Sequence, residues 1–464
     1  MDYKKLLESI LYYKQSRWWR NYPPGFIAYK RKISLQTIRG FLREVFSEQN
    51  NNKVGLYIHL PFCSSKCHFC KYYSESIQGR SVISEYIKSL KKELSFYKID
   101  FKKHFLQSVY FGGGTPTLLD EKDWIKLFKI INTFFKIDKN AQILTEGTPE
   151  TCTFSKLKLL KDLGVNRFSI GVQTFDEEIL NSLNRRHSIA DIYKAFRNAR
   201  EAGIEYLNMD LLFGLPGETK EIFIDTLEHA LKIKPECISP AFLDLNKNVF
   251  FSKKDVKNVY INRRQTKILT EIRKILKKED YQNKINDMYY SSFLLHGDVK
   301  AYNHNIVSQG SPDSVFAIGC HVDSYLNYSN NKSYQLQYTK GIKLNKYISY
   351  FKENKELKFL GIKLLEDEII RQYLIYCLMF FQGKINKNDF LSRFNKDIMF
   401  VLKNNFSKLF KVSNIKEDKN FVYLCHKESR FYSDRSKFLF FCIKYLYSPK
   451  VLKILKKEAR DKIS

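Results

Sequence analysis

Cys63-Ser64-Ser65-Lys66-Cys67-His68-Phe69-Cys70-Lys71-Tyr72-Tyr73-Ser74 follows directly on the apolar segment Val54–Leu60. The segment is too short for a helix and rich in apolar residues, so it reads as a buried strand ending in a cysteine loop. Three thiolates spaced C-x3-C-x2-C can hold three corners of a [4Fe–4S] cube and leave the fourth iron without a protein ligand. An iron left open can bind a reactant, so the spacing points to chemistry rather than to electron storage. The alternatives are a zinc site, which usually takes four protein ligands, or chance clustering. His68 is the nearest further donor, and the sequence does not fix its direction.

Working outward, short apolar runs alternate with amphipathic stretches from about residue 54 to 245. The strand candidates are Val54–Leu60, Ser108–Phe111, Gln142–Thr145, Arg167–Val172, Leu207–Phe213 and Cys237–Leu243. Helical patterns lie at Ser84–Tyr97, Glu121–Phe135, Phe154–Leu163, Asp176–Leu183, Ile189–Ala202 and Lys220–Ile233. Six strand–helix units in series predict an α/β fold, a partial parallel (β/α)6 barrel. In such barrels the chemistry gathers on loops leaving the C-terminal ends of the strands. The cysteine loop, Gly112–Pro116, Glu146, Gln173 and Gly214–Gly217 follow five consecutive strands at that end. Gly112-Gly113-Gly114-Thr115-Pro116 lacks the G-x-G-x-x-G spacing of a dinucleotide site. Its glycines let backbone approach a ligand closely, which makes it a seat for a ligand's amino group.

The organisation expected is an N-terminal extension (1–50), a core barrel (51–250), a less regular extension covering the barrel (251–350) and a helical accessory domain (351–464). The extension carries an aromatic-basic knot around Trp18 and Trp19, read as a brace against the barrel or a lid over a flat substrate. Phe438–Tyr447 is apolar but too short to cross a bilayer, and reads as a core helix.

The formal charge of +30 comes from 79 Lys and Arg against 49 Asp and Glu. The basic residues are scattered along the whole length, a solvated-surface pattern rather than a nucleic-acid footprint. Such a surface still attracts an anionic substrate such as a polycarboxylate. No apolar run reaches 18 residues, so no membrane span is expected. The first residues lack the apolar core of a secretory signal. The nine cysteines, three of them crowded together, suit a reducing compartment. A cytoplasmic protein is expected.

Tyr57-Ile58-His59-Leu60-Pro61-Phe62-Cys63 with its three-cysteine loop resembles the radical S-adenosylmethionine (SAM) superfamily. Within it the chain is most similar to the oxygen-independent coproporphyrinogen III oxidase family. Tyr110–Leu119, Gly164–Asp176 and Asn208–Thr219 carry the likeness further, in the same order. The resemblance implies that Cys63, Cys67 and Cys70 ligate a [4Fe–4S] cluster whose fourth iron is chelated by SAM. One electron then cleaves the sulfonium, and the adenosyl radical abstracts a hydrogen atom from substrate. Tyr57, Gly113, Gly114 and Thr115 are implied to flank the bound SAM, with Glu146, Gln173, Arg185 and Asp210 as its polar contacts. No catalytic residue beyond the cluster ligands is implied. The bland readings are a helix cap or ion pair for Glu146 and Asp210, a surface charge pair for Arg185 and strand packing for Tyr57. A low-potential donor such as flavodoxin or ferredoxin is implied as partner.

The decarboxylating oxidases carry a further cysteine two positions after the third. Here that residue is Tyr72. The change brings the chain nearer to haem chaperones, haem-degrading enzymes and C-methyltransferases using two SAM molecules. The expected activity is radical SAM chemistry on a tetrapyrrole or similar planar substrate, with methyl transfer and haem trafficking as alternatives. The chaperones' haem-binding segment has only a poor counterpart in Tyr302-Asn303-His304-Asn305. Cys152, Cys237, Cys320, Cys377, Cys425 and Cys442 lack ligand spacing and read as buried thiols. Of these, Cys320, beside His321, is the one placed near the barrel mouth.

Overall fold

The computed structural model describes residues 28, 31–50, 52–77, 79–243, 262–286, 291–295, 313–330, 332–353, 357–380, 383–425, 441–442 and 444–453. Strands β1 (Val54–Leu60), β2 (Phe105–Gly113), β3 (Lys136–Gly147), β4 (Arg167–Gln173), β5 (Tyr206–Phe213) and β6 (Cys237–Phe242) lie side by side in chain order. Every neighbouring pair is parallel. Helices α1 (Arg80–Tyr97), α2 (Glu121–Phe134), α3 (Phe154–Asp162), α4 (Ile189–Glu201) and α5 (Lys220–Ile233) make the crossovers. Because helices pack against the strands, β1 and β4 are buried on both faces almost throughout, hence their continuous apolar runs.

The helix starts follow from local chemistry. Asp120, Thr153, Ser188 and Thr219 each accept a hydrogen bond from a backbone N–H of the first turn, which satisfies donors the helix itself leaves unpaired. The cores of α2 and α4 (Trp124, Leu127, Phe128 and Ile192, Ala195, Phe196) recur at helical spacing and face the sheet. Four of the five crossover helices are thus delimited by a side-chain cap, α1 starting at Gly79 without one, and the strand ends are delivered to one rim.

Residues 251–350 differ from the expectation of an irregular extension. Among the described residues, β7 (Ser314–Ile318) pairs in parallel with β1, Val315 opposite Gly55 and Ile318 opposite Ile58. An antiparallel wing continues through β8 (Asp323–Asn330), β9 (Lys332–Thr339) and β10 (Phe359–Leu365) to Arg31–Ile33. Ser291–Leu295 and Tyr281–Asn286 extend the opposite edge, also antiparallel. The wing escaped sequence reading because its inward positions are polar. Buried Asn327, Gln335, Gln337 and Gln372 bond to one another, with Gln335 Nε2 2.6 Å from Asn327 Oδ1 and 2.9 Å from Gln372 Oε1.

Of the N-terminal extension, Leu35–Val45 is a helix that buries Ile38, Phe41, Leu42 and Val45 in the main core. The Trp18-Trp19 knot lies outside the described residues, as does Tyr302–Asn305. A second apolar core begins at Leu364 rather than at 351, since Phe359 still belongs to the first. It gathers Glu366–Phe380, Lys387–Phe394, Ile398–Asn405 and Ser407–Val412. A three-stranded sheet (Lys384–Asn386, Phe421–Cys425, Asn414–Glu417) joins these helices, so the tail is helical with a small sheet added. Phe441, Cys442, Leu446 and Tyr447 are buried in that core. Among the described residues no helix is long and apolar enough to cross a membrane.

Candidate active site

The cysteine loop leaves β1 at the rim where the parallel strands end. It is fastened at both flanks. Glu75 N–H donates to Pro61 O (2.7 Å) and Ile77 N–H to Cys63 O (3.0 Å). The far side is tied to the short helix Glu177–Ser182 and the turn after it. His68 N–H bonds Leu183 O (3.1 Å), and Asn184 Nδ2 bonds Lys66 O (2.9 Å). His68 Nδ1 lies 2.7 Å from Ser182 O, so this nitrogen carries the proton and is committed to a carbonyl.

Cys63, Cys67 and Cys70 are free thiols and half-buried. Burial pushes the Cys63 and Cys70 thiols up, while Lys66 works in the opposite direction on both. Thr115 Oγ1 lies 3.8 Å from Cys63 Sγ, and Arg185 Nη1 lies 3.5 Å from Cys67 Sγ. Among the described residues no three His, Cys, Asp or Glu side chains are drawn tightly enough together to grip a single metal ion. The donor set suits a cluster, which takes one thiolate on each of three irons. Nearby hydroxyl and guanidinium groups stabilise sulfur anions.

The glycine run lies against this loop. Gly114 N–H donates to Leu60 O (2.8 Å) and Thr115 N–H to Phe62 O (2.7 Å). A Cβ on Gly114 would sit 2.4 Å from Phe62 O, and one on Gly113 (φ +119°) 2.6 Å from the His59 ring. Only glycine fits this approach of backbone to cluster loop.

Inside the rim, neighbouring strands bring Tyr57 and Tyr110 into register, their rings 5.3 Å apart edge to face. Tyr110 donates its hydroxyl to Glu146. Glu146 is pushed up to about 7, chiefly by burial and further by Asp210, while Tyr110 and the Gly113 N–H oppose the rise. Asp210 accepts from Ser169 Oγ (2.7 Å) and Asn208 Nδ2 (2.8 Å), and burial raises it too. Gln173 ends β4 with φ +76° at a bulge, buried. Arg185 reaches from the following turn, Nη2 on Gly171 O and Nη1 on Cys67. The structure therefore gathers Tyr57, Gly113–Thr115, Glu146, Gln173, Arg185 and Asp210 about one mouth beside the three cysteines.

The sequence did not single out Tyr110, Ser169 or Asn208. The available signal was that Tyr110 precedes the end of its strand by three residues, as Tyr57 precedes its own. His59 Nε2 lies 3.1 Å from Tyr73 O and must donate, so Nδ1, 3.0 Å from Tyr57 Oη, accepts the tyrosine proton. Burial lowers the imidazole to about 4 and keeps it neutral. Tyr57 thus turns its oxygen lone pairs to the mouth. Cys320 is buried beneath the rim, near Tyr86 Oη (3.7 Å), and pushed up to about 12 by burial. It is an inert thiol.

A partial parallel barrel with a three-thiol loop at its rim and half-buried carboxylates in its mouth is the architecture of a radical SAM domain. Residues 57–230 match the model of the Radical SAM superfamily. The heme chaperone HemW of Bacillus subtilis is 37% identical over 198 residues, 42% of this chain and 52% of that protein. The oxygen-independent coproporphyrinogen III oxidase of Escherichia coli is 26% identical over 340 residues, 70% of this chain and 71% of that one. The solved structure of coproporphyrinogen III oxidase (HemN) from E. coli superposes with a TM-score of 0.74 at 20% identity, covering 94% of this chain and 98% of that one. The fold is HemN-like. The matched region spans only 52% to 63% of the first HemW relatives.

Proposed function

We propose that Cys63, Cys67 and Cys70 hold the [4Fe–4S] cluster, that SAM sits at the mouth beside them, and that the chain acts on a tetrapyrrole. One observation carries the SAM site. Glu146 is a half-buried carboxylate at the mouth beside the cysteine loop, held by the neutral donors Tyr110 and Gly113. A desolvated carboxylate without a cation is costly, and SAM brings both an ammonium and a sulfonium. Bound there, the cluster supplies the electron that splits the carbon–sulfur bond of SAM, so that the adenosyl fragment can take hydrogen from substrate.

The chain's own residues set the geometry. Tyr57, its proton held by His59, offers lone pairs to a cationic centre. Gly113–Thr115 bring backbone close on one side, and Arg185 braces Cys67 from the other with its cationic head. Asp210 and Gln173 line the floor with acceptors for hydroxyl and amine groups. Reducing equivalents come from a low-potential donor of the flavodoxin or ferredoxin kind, in a cytoplasmic setting.

The tetrapyrrole assignment draws on the similarity to a heme chaperone and a coproporphyrinogen III oxidase and on the aromatic rim. A second reading, haem carriage, is favoured by Tyr72, which is 56% exposed where the decarboxylating family has a cysteine. Methyl transfer with a second SAM is the remaining catalytic variant. The test is anaerobic protein with reductant, SAM and either coproporphyrinogen III or haem, analysed by mass spectrometry. 5′-Deoxyadenosine formed in step with an altered tetrapyrrole is the expected result. Carboxyl loss would identify the oxidase and a CH2 gain the methyltransferase, while haem bound unaltered would support carriage. Absence of 5′-deoxyadenosine under every condition would overturn the assignment.

A further inference from the structure

The turn Gly319-Cys320-His321 leaves β7 at the same rim as the cysteine loop, because β7 runs parallel to β1 in register. It is held with unusual thoroughness. Gly319, at φ +106°, gives its N–H to Glu93 Oε2 (2.9 Å). Cys320 gives its N–H to Tyr86 Oη (3.1 Å), and Tyr86 in turn donates to His59 O (2.7 Å). Glu93 is fully buried and fixed by Lys340, also fully buried, and by the hydroxyls of Tyr97 and Tyr347. This frame delivers His321 at φ +54°, a left-handed conformation that a side-chain-bearing residue rarely adopts.

The His321 side chain remains exposed, stacked on Tyr73 with centroids 4.7 Å apart and planes at 29°. Tyr73 cannot yield: it donates to Glu75 and accepts the Leu344 N–H at 2.7 Å. It also lies three residues beyond Cys70. His59 has both ring nitrogens committed, and His68 has Nδ1 committed. His321 makes no hydrogen bond to any described residue. A surface histidine on a loose loop means little. One locked by a buried ion pair, backed by an aromatic plane and facing the cluster rim is preorganised for a ligand.

We propose that His321 is an axial ligand to the iron of a haem that stacks across this rim, a ring nitrogen forming the iron–nitrogen bond and Tyr73 fixing the imidazole plane. This rests on the tetrapyrrole reading above and names the contact that reading lacks. A neutral imidazole suits a metal centre, whereas a ligand recognised only through its carboxylates would be met by Lys or Arg.

The experiment titrates anaerobic, cluster-loaded full-length protein with haem and, separately, with metal-free protoporphyrin, following the Soret band and the electron paramagnetic resonance of the ferric haem. The variant is His321→Gly, since glycine accepts φ +54° without strain and leaves a gap that free imidazole can fill. The expected result is a nitrogen-ligated haem in the parental protein. Haem binding should weaken at least tenfold in H321G and return with added imidazole. Porphyrin binding should be unchanged. Parental spectrum and affinity in H321G would overturn the proposal, as would equal loss of haem and metal-free porphyrin, or no haem binding by the parental protein. 5′-Deoxyadenosine measured on the same preparation tests the cluster assignment separately, so the two failures are distinguishable.

Discussion

Replacing Glu146 by Gln should stabilise the SAM-free protein, and by an amount that depends on pH in a defined direction. The Glu146 carboxyl is pushed up to about 7 from the usual 4.5, first by burial. At about 1.36 kcal/mol for each tenfold in proton affinity, the difference is about 3 kcal/mol. A carboxyl raised in the folded state binds its proton more tightly there than in the unfolded chain. Its contribution is therefore most favourable below about 4.5 and is lost as pH rises through about 7. Above that, the folded protein carries a partly desolvated carboxylate that Gln does not have. The assay is urea unfolding of parental and E146Q protein without SAM, at intervals from pH 5 to 8. The gain from Gln should grow across that window towards about 3 kcal/mol. His59, lowered to about 4, costs stability as pH falls below its ordinary 6.5, but it is common to both proteins and cancels in the difference. With SAM present the ranking should reverse, because the bound cation needs the carboxylate, and parental SAM affinity should fall as pH drops below about 7. A difference between the two proteins that stays constant from pH 5 to 8 would refute the argument, since a solvated or already paired carboxylate gives no such slope.

Cys67→Ala should abolish the brown cluster absorbance and 5′-deoxyadenosine formation. Cys152→Ala, at a buried site lacking ligand spacing, should keep both and lose only about 1 kcal/mol of stability. His59→Ala frees the Tyr57 proton, so KM for SAM should rise about tenfold, the loss of about 1.4 kcal/mol of a hydrogen-bond preorganisation, with the iron content unchanged on analysis. Lys340→Met leaves Glu93 buried without its cation and should cost about 3–5 kcal/mol in urea unfolding. The double variant E93Q/K340M should recover most of that loss, and failure to do so would mean that the two side chains are not coupled.

The barrel was legible because parallel strands and their crossover helices write strong local signals. β1 and α5 have the bounds their apolar patterns predict, and β4 and α2 differ by a single residue. The cysteine loop stood out in the sequence because its three cysteines lie within eight positions of one another. Tyr110 was not, because a tyrosine inside an apolar strand looks like packing until its neighbour in register, Tyr57, and its acceptor, Glu146, are known. β7 failed for a different reason: five residues, Ser314–Ile318, carry no periodicity of their own, and their partner β1 is far back in the chain. In β8 and β9 the buried Ser324, Asn327, Gln335 and Gln337 reverse the usual apolar-inside signal. Hydrogen bonds among Asn327, Gln335 and Gln337, and from Ser324 to the Ala317 backbone, satisfy polar groups that a one-dimensional reading assigns to solvent.

The superfamily match stops at residue 230, yet the rim does not. Tyr73, three residues after the last cluster cysteine, receives its N–H from Leu344, 271 positions away, and Glu93 finds its cation 247 positions away in Lys340. β7 covers the edge of β1 that would otherwise stand open immediately beneath the cysteine loop. A barrel limited to the matched region would keep the thiols but lose the partner of a buried carboxylate and the anchor of the loop's exit strand. The wing is therefore part of the site. Removing the wing should loosen the exit of the cysteine loop at Tyr73 while the bonds from Pro61, Cys63 and Leu183 persist.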